Sequence, residues 1–551
     1  MVEGAEVNEA PPRARWRHRL PTPLRRHWRV LAVFVAFVVV MTTVFGGARV
    51  RPYITGDPSV IASSITENIA GTVDLFDSSA SHEVAVQISD TEYREMIEAY
   101  QKDGDKDWAK AAITIDGTLV SDVGVRLKGN STLMGLGGRG PGAGADGQGP
   151  PGMQPPEGMQ PPEGMQPPEG MQPPAGMQLP QGPGGGQPGG GMGLPGASAI
   201  SSDDPTSLPL LISFDKYVEG RAYQGLTELS VRPGAPVLNE AMALSLTAAT
   251  DQPTQRYAYS VYSINDGATT TRLLLEHPDE QYASSLLDGD GYLYKADASS
   301  RLAYVGDDQA DYTGQFPLVN AEGTGDVQPI ISFVKWLDSA TDDELDQHLA
   351  DWVDVESLAR YLATQNLLVN ADDMAGAGQN YYLWYDLTTK KLSVVSWDLN
   401  LAMTGATTAG PNDTISMGGG AQGGPQRGGA PQPAGADRPR PGLGEQPGVA
   451  GRPGAPPDAA NQPGAGRSIG GNTLKARFLD SEAFQGTYQA AYWTLFERFY
   501  GDGTALRTLD QVAASVPTSS GLTRETLQAS VETMRTWIQA RTASLAALRP
   551  Q

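Results

Sequence analysis

Between residues 356 and 369 apolar side chains recur at helical spacing, at Leu358, Tyr361, Leu362, Leu368 and Val369. That repeat predicts an amphipathic helix. Past it, Asn370 to Gly378 has turn chemistry, punctuated by Gly376 and Gly378. Tyr381–Tyr385 and Leu392–Ser396 are rich in aromatic and β-branched residues and flank Asp386–Lys391, the pattern of a β-hairpin. Further upstream Val123, Val125 and Leu127 alternate with Gly124, Arg126 and Lys128, which predicts a strand with one apolar and one cationic face. Leu238, Met242 and Leu246 mark another helix. Glu240 stands near its start, where a negative charge also suits the helix dipole.

One segment follows neither period. Val30 to Ala48 is a run of 19 uncharged, mainly apolar residues, long enough to cross a hydrocarbon core of roughly 30 Å. Arg13, Arg15, Arg17, Arg19, Arg25, Arg26 and Arg29 precede it, and only Arg49 and Arg51 follow nearby. The positive-inside rule makes residues 1–29 a cytoplasmic segment and 30–48 a single transmembrane helix. Residues 49–81 then form a linker, and the body lies outside the cell. A cleavable signal peptide is the competing reading, but the apolar run is long for one and no small-x-small cleavage site stands out.

Two low-complexity stretches interrupt the body, at 134–200 and 404–468. The first repeats Gly-Met-Gln-Pro-Pro-Glu, with Met153, Met159, Met165, Met171 and Met177 at period six. In polyproline II these methionines share one side. The second is Gly/Pro-rich and carries Arg427, Arg438, Arg440, Arg452 and Arg467. Neither has enough large apolar residues to fold alone, so both are expected to be disordered inserts. The first has no serine or threonine from 133 to 197, which favours a tether or lid over a phosphate acceptor.

Composition narrows the chemistry. The chain has 551 residues, no cysteine and five histidines, of which only His82, His277 and His348 lie beyond the amino-terminal segment. Thiol catalysis, iron–sulfur clusters and Cys/His zinc sites are therefore disfavoured. Eight arginines and three glutamates give the first fifty residues +5 of a total of −23, leaving −28 on the rest. Such a body is a poor nucleic-acid binder. Its acidity favours basic protein partners, or serves solubility alone. Oligomeric state is not encoded in any pattern found.

The abundant carboxylates suit a hard divalent cation. Asn370-Ala371-Asp372-Asp373, Gln379-Asn380 and Trp397-Asp398-Leu399-Asn400 are spaced by the hairpin, whose ends return to one edge. Taken singly, each aspartate reads as a turn cap. Together they match the needs of phosphoryl transfer, in which one carboxylate orients a hydroxyl while an amide and a second carboxylate hold the metal. Neither a His-Arg-Asp nor an Asp-Phe-Gly sequence occurs.

The order Asn-x-Asp, Gln-Asn-Tyr, Trp-Asp resembles the spore-coat protein H (CotH) kinase family of atypical protein kinases. Val123–Thr132, Ile212–Tyr217, Leu238–Ala241, Leu273–Glu276, Tyr292–Lys295 and the tail from Leu474 to Leu548 resemble other family segments in the expected order. The likeness covers 82–548 apart from the inserts. It implies an α+β, atypical protein-kinase-like fold using ATP with Mg²⁺ or Mn²⁺. On this reading Asp372, or else Asp373, orients the acceptor hydroxyl, and Asn380 and Asp398 hold the metal. Arg126, Lys128 and Asn130 line the phosphates, and Lys295 anchors them with Glu276 or Glu240 orienting it. The family often has a lysine where Leu211 stands.

The implied function is an extracytoplasmic kinase for serine or threonine of a surface or envelope protein. A non-catalytic pseudokinase scaffold or an adhesin is the alternative. The topology has a direct test. Protease added to intact cells is expected to digest the body and spare an amino-terminal tag. Protection of the body, or its release into the medium as a cleaved form, would contradict a signal anchor.

Overall fold

The computed structural model describes residues 65–129, 131–136, 200–287, 289–321, 325–415 and 472–550. The 1–29 segment, the 30–48 helix, Asn130 and most of both inserts lie outside the described residues. Among the described residues no helix is long and apolar enough to cross a membrane.

The alternation along Val123–Leu127 belongs to a seven-stranded closed barrel. Its strands are β2 (His82–Ile88), β3 (Ala109–Ile115), β4 (Thr118–Leu127), β5 (Leu210–Ser213), β7 (Glu228–Val231), β8 (Tyr257–Ile264) and β9 (Thr270–Glu276). They run in the order β2-β3-β4-β5-β7-β9-β8. All neighbours are antiparallel except β2 and β8, whose parallel pairing closes the ring. Val84, Val86, Ile113, Val123, Val125, Leu127, Ile212, Leu229 and Val231 share one buried cluster. The opposite face of β4, β5 and β7 is therefore the outside of the barrel. A short parallel pair, β1 (Glu67–Ile69) and β6 (Arg221–Tyr223), stands apart.

Helix α1 (Asp90–Asp103) starts at Ser89, whose hydroxyl accepts from the Glu92 amide, and ends at left-handed Gly104. It adds Met96, Ile97 and Tyr100 to the barrel cluster. Helix α2 (Leu238–Ala248) follows β7 and buries nearly every side chain. The barrel is succeeded by α3 (Glu280–Leu286), β10 (Gly291–Lys295), α4 (Ala310–Thr313), α5 (Gln328–Ser339), α6 (Asp342–Trp352) and α7 (Val355–Leu367). The predicted hairpin is β11 (Tyr381–Asp386) with β12 (Leu392–Ser396), and β10 joins it as a third strand. The chain closes with α8 (Thr473–Asp480), α9 (Glu482–Phe496), a π turn at Glu497–Gly501, α10 (Thr504–Ser515) and α11 (Arg524–Leu548). These helices share a second large core with α2, α5, α7 and the outer side of β8–β9, through residues such as Leu273, Leu362, Leu399 and Ile538.

The fold is thus a mixed one of helices and sheets, its strands gathered into a barrel and a small sheet. Local pattern foretold α2, α7 and the hairpin but not the ring closure, which depends on pairing between strands some 180 residues apart.

The second low-complexity stretch begins later than its composition suggests. Residues 404–413 are bound into the body because α11 supplies Arg541, which is fully buried. Its Nη1 donates to the carbonyl oxygens of Thr407 (3.0 Å) and Ala409. Its Nε donates to Leu367 O at 3.2 Å and its Nη2 to Asn366 O at 2.9 Å. One guanidinium so ties the C-terminus of α7, where partial negative charge accumulates, to the chain beyond β12. Arg541→Met would take the guanidinium donors from Thr407 O and Ala409 O, while Leu367 O keeps the Tyr500 hydroxyl and Asn366 O keeps the Val369 amide. It is expected to destabilise the protein by about 3 kcal/mol or more, read as a lower urea midpoint. An unchanged midpoint would mean that the clamp is dispensable.

Candidate functional site

The outer face of the barrel supplies one wall of the site. Arg126 on β4, Leu211 on β5 and Ser230 on β7 are register partners, so their side chains leave the same surface. Lys128 lies two residues past Arg126 and donates to the Ser230 hydroxyl. Gly124 must be glycine: a Cβ there would lie 2.7 Å from Lys216 Cβ and 2.9 Å from Trp108 Cε3. The Trp108 ring thereby comes close to β4, and the Arg126 guanidinium rests over it at 4.7 Å. Leu211 is a buried apolar residue of this wall.

The three-stranded sheet supplies the facing wall. Lys295 ends β10 and Trp397 follows β12 directly. The ammonium groups of Lys128 and Lys295 sit 5.1 and 5.2 Å from the centre of the Trp397 ring, within cation–π range. Tyr382 and His277 meet that ring edge-on. Burial drives the Lys128 ammonium well below the usual lysine range, and Arg232 and Lys295 push it further. Lys295 is lowered by burial against the attraction of Asp398. Lys106 is lowered by burial, with Arg126 and Lys295 adding to the effect. A bound anion would relieve the mutual depression of such a set of cations. Burial raises the Glu228 carboxyl. Burial also keeps the neighbouring His277 well below its ordinary value, so that imidazole is neutral against Glu228 at 3.1 Å.

The loop between α7 and β11 supplies the acidic side. Asp372 accepts from the Gly378 amide at 2.6 Å and from Asn380 Nδ2 at 3.0 Å. The glycines there are required by close approach, since a Cβ at Gly376 or Gly378 would come within 2.3 or 2.4 Å of the Asp372 carboxylate oxygens. Burial raises the Asp372 carboxyl, the Gly378 amide opposes this, and Asp398 and Asp373 raise it further. Asp372, Asn380 and Asp398 thus form one neighbourhood. Among the described residues no three carboxylate or histidine side chains converge as a ready-made metal site.

Three of the sequence-based candidates have partners that the sequence did not suggest. Asp373, the fallback for orienting a hydroxyl, is pinned by Lys475 on α8 and by the Ala375 amide at 2.8 Å, which makes it a brace for the loop. Glu276 turns to Arg256 at 2.7 Å, and Glu240 turns to Arg232. In this structure both carboxylates are therefore paired with arginines. Sequence reasoning missed Arg232, Lys106, Trp108 and the Lys–Trp–Lys arrangement around Trp397. Arg232 could have been found, because Glu228, Ser230 and Arg232 alternate with buried Leu229 and Val231 and so share the outer face. Lys106 lies on the irregular approach to β3, where no period operates.

The depressed lysine has a measurable consequence. Folded Lys128 holds fewer protons than the unfolded chain at any pH between its lowered value and the ordinary lysine value of about 10.4. Its contribution to stability therefore improves as pH rises through that window. Lys128→Met is expected to melt higher than wild type near neutral pH and to show a shallower rise in stability between about pH 7.5 and 9.5. It is also expected to lose binding of pyrophosphate, as read by calorimetry. A variant that melts lower and still binds pyrophosphate would refute the anion site.

No curated protein matches the chain. The family described as CotH kinase protein matches residues 233–545, more than half of the sequence, so Arg126 and Lys128 lie ahead of the matched stretch. The match includes α2 with Glu240, β10 with Lys295, the Asp372–Asn380 loop, Trp397-Asp398 and the closing helices, and the chain belongs to the CotH kinase family.

Proposed function

We propose that this chain is a membrane-anchored, extracytoplasmic protein kinase that moves the γ-phosphoryl group of ATP to a serine or threonine of an envelope or surface protein. The observation that carries this reading is the pair of lysine ammonium groups at Trp397, set opposite Asp398 with Asp372 and Asn380 beside it. The donor set fits the nucleotide. Lys128, Lys295, Arg126 and Lys106 offer cations for phosphate oxygens, and buried Arg126 Nε has no hydrogen-bond partner among the described residues. It also fits a divalent cation, since Asn380 donates through Nδ2 to Asp372 and keeps a carbonyl oxygen for a hard ion.

Bound ATP with Mg²⁺ or Mn²⁺ would supply the phosphoryl group and neutralise its charge. The chain does the rest by positioning. Lys128 and Lys295 would hold oxygens of the phosphate chain, whose negative charge opposes the burial that lowers both groups' affinity for a proton. Asp372 would accept the hydrogen bond of the incoming hydroxyl and take its proton as the new P–O bond forms and the bond between the γ-phosphorus and the β,γ-bridging oxygen breaks, ADP leaving with that electron pair. Its raised affinity for a proton suits that task. Asp398 and Asn380 would hold the metal. The kinase-like reading of the fold rests on this pairing of an Asp/Asn loop with Trp-Asp across a hairpin. The membrane and extracytoplasmic parts rest on the apolar 30–48 segment and its arginine flank, and the acidic body favours a basic acceptor.

A non-catalytic scaffold is the second reading. It is favoured by the Arg232 contact on Asp398 and by Leu211 in the cationic wall. Phosphate transfer by the detergent-solubilised full chain separates the two. Asp398→Ala is expected to lose metal-dependent ATP binding without unfolding. Asp372→Asn should keep ATP binding while transfer falls on the order of 10³-fold. Equal metal-dependent affinity in wild type and Asp398→Ala would sink the metal assignment, and full transfer by Asp372→Asn would remove Asp372 from the chemistry.

A further inference from the structure

Arg232 sits directly after β7, and its guanidinium faces two carboxylates at once. Its Nε donates to Glu240 Oε1 at 3.1 Å, and its Nη2 donates to both Glu240 Oε1 and Asp398 Oδ1. The two partners differ in access. The Glu240 side chain is 0% exposed and Asp398 is 24% exposed. The Glu240 contact is therefore a fixed internal pair, while the Asp398 contact faces the cleft and is exchangeable. The corner around them is stiff. Asn239 at the start of α2 donates to Asn400 O at 2.6 Å and Ala402 O at 3.1 Å, so α2 and the Asp398 loop are stapled together. Asp398 itself has a left-handed backbone, with φ of 52°, which aims its side chain back across the corner. Arg232 also acts electrostatically on Lys128, so it belongs to the cationic set of the site.

We propose that Arg232 makes cation binding at Asp398 conditional on nucleotide. Without phosphates the guanidinium is the counter-ion of Asp398 and repels a divalent cation. With phosphates present, Arg232 turns its outer edge to their oxygens, keeps Glu240 and releases Asp398. A guanidinium is suited to this exchange because its planar fork serves two anions at once and never loses its charge. Metal and nucleotide then load cooperatively, and metal alone binds weakly. The inference rests on the nucleotide-and-metal reading above.

The test is Mn²⁺ binding to the full-length chain, followed by electron paramagnetic resonance of free Mn²⁺, with and without a non-hydrolysable ATP analogue. Arg232→Met alone would strand buried Glu240, so Arg232→Met/Glu240→Leu is the informative variant. If it does not fold, Arg232→Gln/Glu240→Gln takes its place. Either pair is expected to bind Mn²⁺ without nucleotide about tenfold tighter than wild type, a typical size for coupling between two sites. The analogue should then enhance Mn²⁺ binding less than it does in wild type. Adding Asp398→Asn should erase the gain. A purely structural role for Arg232 would not tighten metal binding. Mn²⁺ affinities within about twofold of each other in the absence of nucleotide would overturn the inference while leaving the metal site standing. Absence of Mn²⁺ binding in every variant, with or without the analogue, would overturn both.

Discussion

The guanidinium of Arg541 is the constraint on which the arrangement of the site depends. It is buried in the helical core and donates to main-chain carbonyls from two stretches distant in sequence, 366–367 and 407–409. One stretch ends α7 and leads into the Asp372 loop. The other lies beyond the Trp-Asp-Leu-Asn segment. Asn366 reinforces the same joint, donating to Gly410 O and Asp413 O at 3.1 Å each, and the Met403 amide donates to Leu368 O at 2.7 Å. Asp372 and Asp398 repel one another. They share a neighbourhood because the two segments carrying them are fastened behind the site by groups that play no part in the chemistry.

That fastening explains how the chain accommodates its long low-complexity stretches. The first leaves after a 3₁₀ turn at Ser131–Leu136, whose Leu133 and Leu136 are buried in the barrel cluster, and the chain returns at Ile200, which packs against the same cluster. The second leaves beyond the Gly410–Asp413 turn and returns at Asn472, which caps α8 and donates to Met374 O at 3.2 Å. One turn later Lys475 holds Asp373. Exit and re-entry are each anchored by side chains of the body. Added length between them therefore costs little beyond loop-closure entropy, which grows only logarithmically.

The parts of the site legible in the sequence were those set by local pattern. The hairpin, the α7 helix, the cationic face of β4 and the Gly-rich loop all follow from periods and turn residues within a dozen positions. Partner choice did not follow. Glu240 and Glu276 were both reasonable companions for Lys295 by sequence order, yet each is claimed by an arginine that tertiary packing brings nearer. Asp373 was indistinguishable from Asp372 until α8, a hundred residues on, delivered Lys475. The barrel closure was illegible for the same reason: β2 and β8 carry no mark of their pairing. Trp397 was visible as part of a motif, but its service to two lysines depends on β4 and β10 meeting across it.

Charge is distributed against the gradient of the whole molecule. The body carries a large negative excess, yet its cleft gathers Lys106, Arg126, Lys128, Arg232 and Lys295. Burial depresses the three lysines, so the empty cleft is destabilising where it is most cationic. Such strain is tolerated at sites that bind, because the ligand returns the missing charge. The arginines are not interchangeable with those lysines. A guanidinium stays protonated where an ammonium surrenders its proton, so Arg126 over Trp108 and Arg232 between two carboxylates fix permanent charge at the edges of the cleft. Lys128 and Lys295 around Trp397 respond to what enters. Phosphate oxygens would offset the burial that lowers these two groups, and the same event would change the balance of charge on Asp398 across the cleft. The basic and acidic halves of this site are therefore coupled through the few ångströms of Trp397 and Arg232 that separate them.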